Sequence, residues 1–140
     1  MLQRIQTIWL LLAAACAGLT MKLSFFSGTR SAGPGQPATF QSLTATSNLL
    51  INIFTVTLLV GSLINIFNYK NRKGQWRATV ALFILSLMDM AFCYRETKDF
   101  ADGNFTLAAI FPIAVPVLLF LAARGIRKDQ RLVKSLDRLR

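Results

Sequence analysis

The stretch Leu49-Leu50-Ile51-Asn52-Ile53-Phe54-Thr55-Val56-Thr57-Leu58-Leu59-Val60-Gly61-Ser62-Leu63-Ile64-Asn65-Ile66-Phe67 decides the class of this protein, because it holds no Asp, Glu, Lys or Arg. A helix needs about 20 mostly apolar residues, each rising about 1.5 Å, to cross about 30 Å of hydrocarbon. Three other stretches share this character. Residues 5–26 are interrupted only by Lys22, residues 76–94 contain Asp89 as their one acidic residue, and residues 105–123 contain Pro112 and Pro116. With residues 48–68 they predict four transmembrane helices. Helices of soluble cores are usually shorter and carry a polar stripe, whereas here the polar positions are few and isolated. Composition agrees: of 140 residues, 54% are hydrophobic and 16% charged, against about 45–50% and about 25% in soluble domains. So apolar a chain is not disordered.

The connections fit four antiparallel spans. Residues 27–47 are rich in Gly, Pro, Ser and Thr, with Ser31-Ala32-Gly33-Pro34-Gly35-Gln36-Pro37 at their centre, which reads as an irregular exposed loop. Residues 68–75 are short enough for a tight hairpin, and residues 95–104 are short and mixed in charge. The net charge is +10, a value that would suggest nucleic acid if spread over a soluble surface. It is not spread. Arg4, Lys70, Arg72, Lys73, Arg77, Arg124, Arg127, Lys128, Arg131, Lys134, Arg138 and Arg140 fall on one side of the four spans, and only Lys22, Arg30, Arg95 and Lys98 on the other. Cytoplasmic flanks collect Lys and Arg, which puts both termini and the middle turn inside. Membrane orientation thus accounts for most of the charge, and no nucleic-acid partner is needed.

Groups able to do catalytic chemistry are scarce. The chain has no His, which removes the imidazole base and the usual Ser/His and Cys/His arrangements. There is no Gly-rich phosphate loop after a strand, and no paired carboxylates lie in the apolar stretches. Neither an enzyme nor a cofactor or metal site is expected. Glu96, Asp99 and Asp102 lack the spacing of a calcium loop and read as a solvated face. Asp89 is the one acidic residue inside a span. A charge at a helix centre costs about 2.5–3.5 kcal/mol on insertion scales, softened here because Tyr94 and Arg95 mark the end of the span only about 7.5 Å away. Asn52 falls at a similar depth on the neighbouring antiparallel span. Asn52 or Thr55 is therefore expected to hydrogen-bond Asp89, a contact worth about 0.6–2 kcal/mol. Such a contact is a packing device on one reading and the proton or cation site of a small carrier on the other. Asn65, next to Asn68, is expected at the interface, and Pro112 and Pro116 should kink the fourth helix.

Cys16 has two readings. Leu12-Ala13-Ala14-Ala15-Cys16 looks like a weak lipoprotein cleavage box, but apolar character resumes at Leu19, Met21, Leu23, Phe25 and Phe26, which favours an uncleaved span. Cys16 falls near mid-membrane and Cys93 near the far face, too distant for a bridge that needs Cα atoms within about 7 Å; two free thiols are expected. The tail, residues 124–140, places Ile126, Leu132, Val133, Leu136 and Leu139 on one side at helical angles and Arg127, Arg131, Lys134 and Arg138 opposite. This is a basic amphipathic helix. Arg127, Lys128, Arg131, Leu132, Lys134, Leu136 and Arg138 are its candidate contacts, either to anionic lipids or to a partner groove. RNA or DNA fits less well, because the segment has no aromatic residue.

Both ends of the chain resemble a known family. The opening Met1-Leu2-Gln3-Arg4-Ile5-Gln6-Thr7-Ile8-Trp9-Leu10-Leu11-Leu12-Ala13-Ala14 looks like the start of the bacterial membrane family catalogued as domain of unknown function 4293. The ending Arg124-Gly125-Ile126-Arg127-Lys128-Asp129-Gln130-Arg131-Leu132-Val133-Lys134-Ser135-Leu136-Asp137-Arg138-Leu139-Arg140 resembles its closing signature, and the basic Tyr69-Lys70-Asn71-Arg72-Lys73 turn also fits. The resemblance implies a small four-helix inner-membrane protein whose first segment is a span, and it brings no catalytic residues. The fold expected is an all-α antiparallel four-transmembrane-helix bundle, residues 1–123, followed by the basic tail. The function expected is an accessory or scaffolding subunit of a larger membrane assembly. The rival is a small homo-oligomeric transporter or channel using Asp89, weakened because the first span lacks the acidic residue of four-span drug exporters.

Overall fold

The computed structural model describes residues 2–30 and 39–137. Four long helices dominate: α1 (Leu2–Lys22), α2 (Leu49–Phe67), α3 (Arg72–Thr97) and α4 (Ile110–Asp137). All four are long and apolar enough to cross a membrane. They pack as a closed ring in which α1 touches α2 and α4, and α3 touches α2 and α4. Leu10, Ala13 and Ala17 of α1 meet Leu58, Leu82, Val115, Leu119 and Ala122 in one core. Small residues let these helices approach closely, which matters where lipid offers no hydrophobic driving force between spans. Gly18 is one such place, since a Cβ there would lie 3.3 Å from Leu59 Cδ1.

One end of the ring is closed by a small antiparallel sheet. Its strands are β1 (Phe26–Arg30), β2 (Thr39–Leu43) and β3 (Asp102–Phe105), in the order β2-β1-β3. Phe26 pairs with Leu43 on one side and with Phe105 on the other. The ladder extends through Phe25 N–H to Leu43 O (3.0 Å) and Thr106 N–H to Phe25 O (3.1 Å). Gly28 faces Gly103 across the pair, and a Cβ at Gly28 would collide with the Asp102 carbonyl and approach Gly103 Cα to 2.7 Å. The Phe26 ring stacks edge-on against Phe100 (5.2 Å) and Phe105 (5.1 Å).

This sheet corrects the all-α expectation. Part of the connection 27–47, expected as irregular loop, is strand, and so is part of the short connection 95–104, because β1 finds partners in both. It also shortens the first span. The helix stops at Lys22, and Phe25 and Phe26 turn inward to a second cluster with Leu43, Ala45, Ile51 and Cys93.

The helix ends are capped by side chains. Asn48 Oδ1 accepts from Leu50 N–H at 2.9 Å, and its Nδ2 donates to Glu96 Oε1 at 2.6 Å, so one residue caps α2 and ties it to α3. Asn71 Oδ1 accepts from Gly74 N–H at 3.0 Å and starts α3 directly after the short turn Asn68–Lys70. Pro112 lies in the first turn of α4, where a backbone donor has no partner to lose, so only Pro116 interrupts the helix interior. Helix α4 continues without a break past residue 124 to Asp137, so this part of the basic segment prolongs the fourth helix.

Candidate functional site

The buried polar residues of α2 and α3 meet along one line, the contact between the two helices. On α2 the buried positions are Ile51, Thr55, Leu58, Ser62 and Asn65; on α3 they are Gln75, Thr79, Leu82, Ser86, Asp89 and Cys93. Steps of four and three alternate on both helices, giving the 3.5-residue repeat that keeps two left-handed supercoiling helices in register. The seam therefore carries polar groups from one end of the bundle to the other.

At the basic end, Asn65 is 3% exposed. Its Nδ2 donates to Thr79 Oγ1 at 2.8 Å, while Gln75 Nε2 donates back to Asn65 O at 3.2 Å. Asn65 is thus an interior cross-link and not the interfacial residue expected, because the turn folds α3 back directly over it. In the middle, Gly61 lets α3 come close: a Cβ there would lie 2.7 Å from Leu82 Cδ2. Leu58 and Leu82 are both buried, and they close the seam at this level. Thr55, Thr79 and Ser86 give their protons to carbonyls of their own helices, Ile51 O, Gln75 O and Phe83 O, at 2.7–2.8 Å.

Near the sheet end lies Asp89, 7% exposed. The Thr55 side chain stands beside its carboxyl, although the Thr55 proton goes to Ile51 O. Asp89 Oδ1 and Asn52 Oδ1 are buried acceptors without a donor. Of the two partners expected for Asp89, then, the structure brings the Thr55 side chain to it and leaves Asn52 Oδ1 without a donor. Cys16 and Cys93 are both free thiols, one half-buried and one buried. Glu96 takes Asn48 as its partner and Asp99 takes Arg30 at 3.3 Å. Among the described residues, no group of His, Cys, Asp and Glu could hold a metal ion.

The basic end of α4 has two faces. Ile126 and Asp129 are buried on one side, where Gly125 comes so close to α1 that a Cβ would lie 3.1 Å from Gln6 Cγ. Gln130 Nε2 donates to Arg72 O at 2.6 Å and fastens α4 to the start of α3. On the other side Arg127, Lys128, Arg131 and Leu132 are exposed, and the Arg127 guanidinium lies 5.7 Å from the Trp76 ring centroid. Lys134 and Leu136 are placed only as backbone positions of α4, and Arg138 lies outside the described residues. The Asn65–Thr79–Gln75 cross-link was missed by sequence reasoning, although the shared four-three spacing was there to find it.

Four helices long and apolar enough to cross a membrane, closed into a ring with a small sheet over one end, define a multi-pass membrane protein. The chain belongs to the family described as Domain of unknown function (DUF4293), which matches residues 2–139. No curated protein and no solved structure matches it.

Proposed function

We propose that this protein is a non-catalytic accessory or scaffolding subunit of a larger assembly in the bacterial inner membrane, with both termini and the 68–75 turn in the cytoplasm. The observation that carries this reading is the contrast along α4 and the seam. Polar groups inside the bundle are closed off by Leu58 and Leu82, whereas Arg127, Lys128, Arg131 and Leu132 stand exposed at the helix end. Lys134, Leu136 and Arg138 continue that pattern in sequence. An amphipathic helix end of this kind suits a groove on a partner, with anionic lipid as the competing surface.

Capture of the full chain from membranes in native nanodiscs, followed by mass spectrometry, tests the proposal. One large unrelated membrane protein at fixed stoichiometry is the expected result. A clean homodimer with nothing else overturns it. The second reading, a transporter or channel with Asp89 as its proton or cation site, is favoured by one observation: Asp89 Oδ1 and Asn52 Oδ1 are buried acceptors that a proton or a cation would satisfy. Under the subunit reading, Asp89→Asn leaves partner capture unchanged; under the transporter reading, it abolishes flux through reconstituted vesicles.

A further inference from the structure

A groove of about 550 Å³ runs between α3 and α4 at the basic end. Its floor is aromatic. Phe83 and Phe120 sit with ring centroids 6.0 Å apart, and one level toward the water Trp76 lies under Arg127. The two levels are related by equal steps of seven residues, 76 to 83 on α3 and 120 to 127 on α4, or about 10 Å along antiparallel helices. Above the floor the groove is lined by Arg124, Arg127, Lys128 and Arg131. Among the described residues no carboxylate lines it, none of these four cations makes an ion pair, and the one ion pair, Arg30–Asp99, is at the opposite end. Asp129 faces away, toward a separate cavity shared with Gln6.

We infer that this groove seats one anionic phospholipid, its phosphate among the four cations and the upper part of an acyl chain over Phe83 and Phe120. The chemistry matches at both ends. An Arg held over an indole face by cation–π attraction keeps N–H groups for phosphate oxygens, and an aromatic trough about 10 Å deep opening toward the bilayer offers acyl carbons more shape than bulk lipid does. Charge complementarity selects the ligand, since a zwitterionic lipid would place its own cation among four others. The seat needs only that this end of the bundle lie at a membrane surface. Its failure would leave the subunit reading standing, and failure to find a partner would leave the seat standing.

Trp76 reports on the seat directly. In a Trp9→Phe background it is the only indole, and lipids with brominated acyl chains quench it on contact. The full chain is reconstituted with brominated phosphatidylglycerol or brominated phosphatidylcholine at varied mole fraction. The expected result is at least about fivefold preferential association of the anionic lipid, about what one interfacial cation contributes. Arg127→Gln with Lys128→Gln, both exposed positions, should bring the two lipids to parity. Lys73→Gln with Arg77→Gln removes the same charge from the same end outside the groove and should leave the preference intact. Equal quenching by the two lipids overturns the seat. So does an equal loss in both double variants, which would reveal only diffuse surface charge. Loss of the preference on adding millimolar inorganic phosphate also overturns it, because the cations would then hold the free anion rather than a lipid.

Discussion

The two ends of the bundle meet water in opposite ways. At the sheet end, charges are spent inside the protein: Asn48 holds Glu96, Arg30 pairs with Asp99, and Lys98 lies 5.3 Å from the Tyr94 ring. Three strands close the ends of the helices there. At the basic end a single short turn joins α2 to α3, and Arg127, Lys128 and Arg131 face outward with no acidic partner among the described residues. At one end several charges find partners within the protein, and at the other Arg127, Lys128 and Arg131 are left to offer. Interactions with other molecules are therefore expected at the basic end, and losses of stability at the sheet end.

The comparison breaks most sharply at Gly28. Gly28→Val would drive a side chain into the Asp102 carbonyl and dismantle the β1–β3 pair. A loss of about 3 kcal/mol is expected from such overpacking, read as a lower midpoint of unfolding in mixed micelles. The lipid preference at the other end should persist in the micelles where the variant stays folded. A smaller effect is expected within the seam. Asn65→Leu removes the 2.8 Å bond to Thr79 and leaves Gln75 Nε2 with a less well-held acceptor, at a cost of about 1.5 kcal/mol. A measured gain in stability would show that the cross-link serves register and not strength. The smallest effect belongs to Arg30 and Asp99, whose side chains are 41% and 56% exposed. A double-mutant cycle should return a coupling under about 0.5 kcal/mol that fades in high salt.

The spans were legible because the membrane sets a length that residues 49–67 meet without one charge. The short turn was legible too, since residues 68–75 leave too little chain between two spans for anything but a tight hairpin. The sheet was not. Its strands Phe26–Arg30 and Asp102–Phe105 are four or five residues long, each holds a Gly, and neither shows a sustained alternation. Their pairing is decided by segments far apart in the chain, and local composition carries no record of that. The seam was half legible. Asp89 stood out for its charge, and depth pointed to Asn52 with Thr55 as the alternative, whereas Asn65 was read by its nearness to Asn68 and so assigned to the surface. The basic segment was read as starting afresh at Arg124 because charge begins there, yet Gly125 belongs inside the helix, where its missing side chain makes room for Gln6.

The pairing of β1 with both β2 and β3 has a consequence for biogenesis. The ribosome delivers β3 only after two further spans have followed β1 into the bilayer, so the cap closes late, with only α4 still to follow. Until then the first helical hairpin waits with one ladder of β1 unfilled. Fragments divided at the turn between α2 and α3 should accordingly recognise each other when made separately, with the β1–β3 ladder as their clasp. Complementation of two half-genes would then be a practical handle on this protein in living cells.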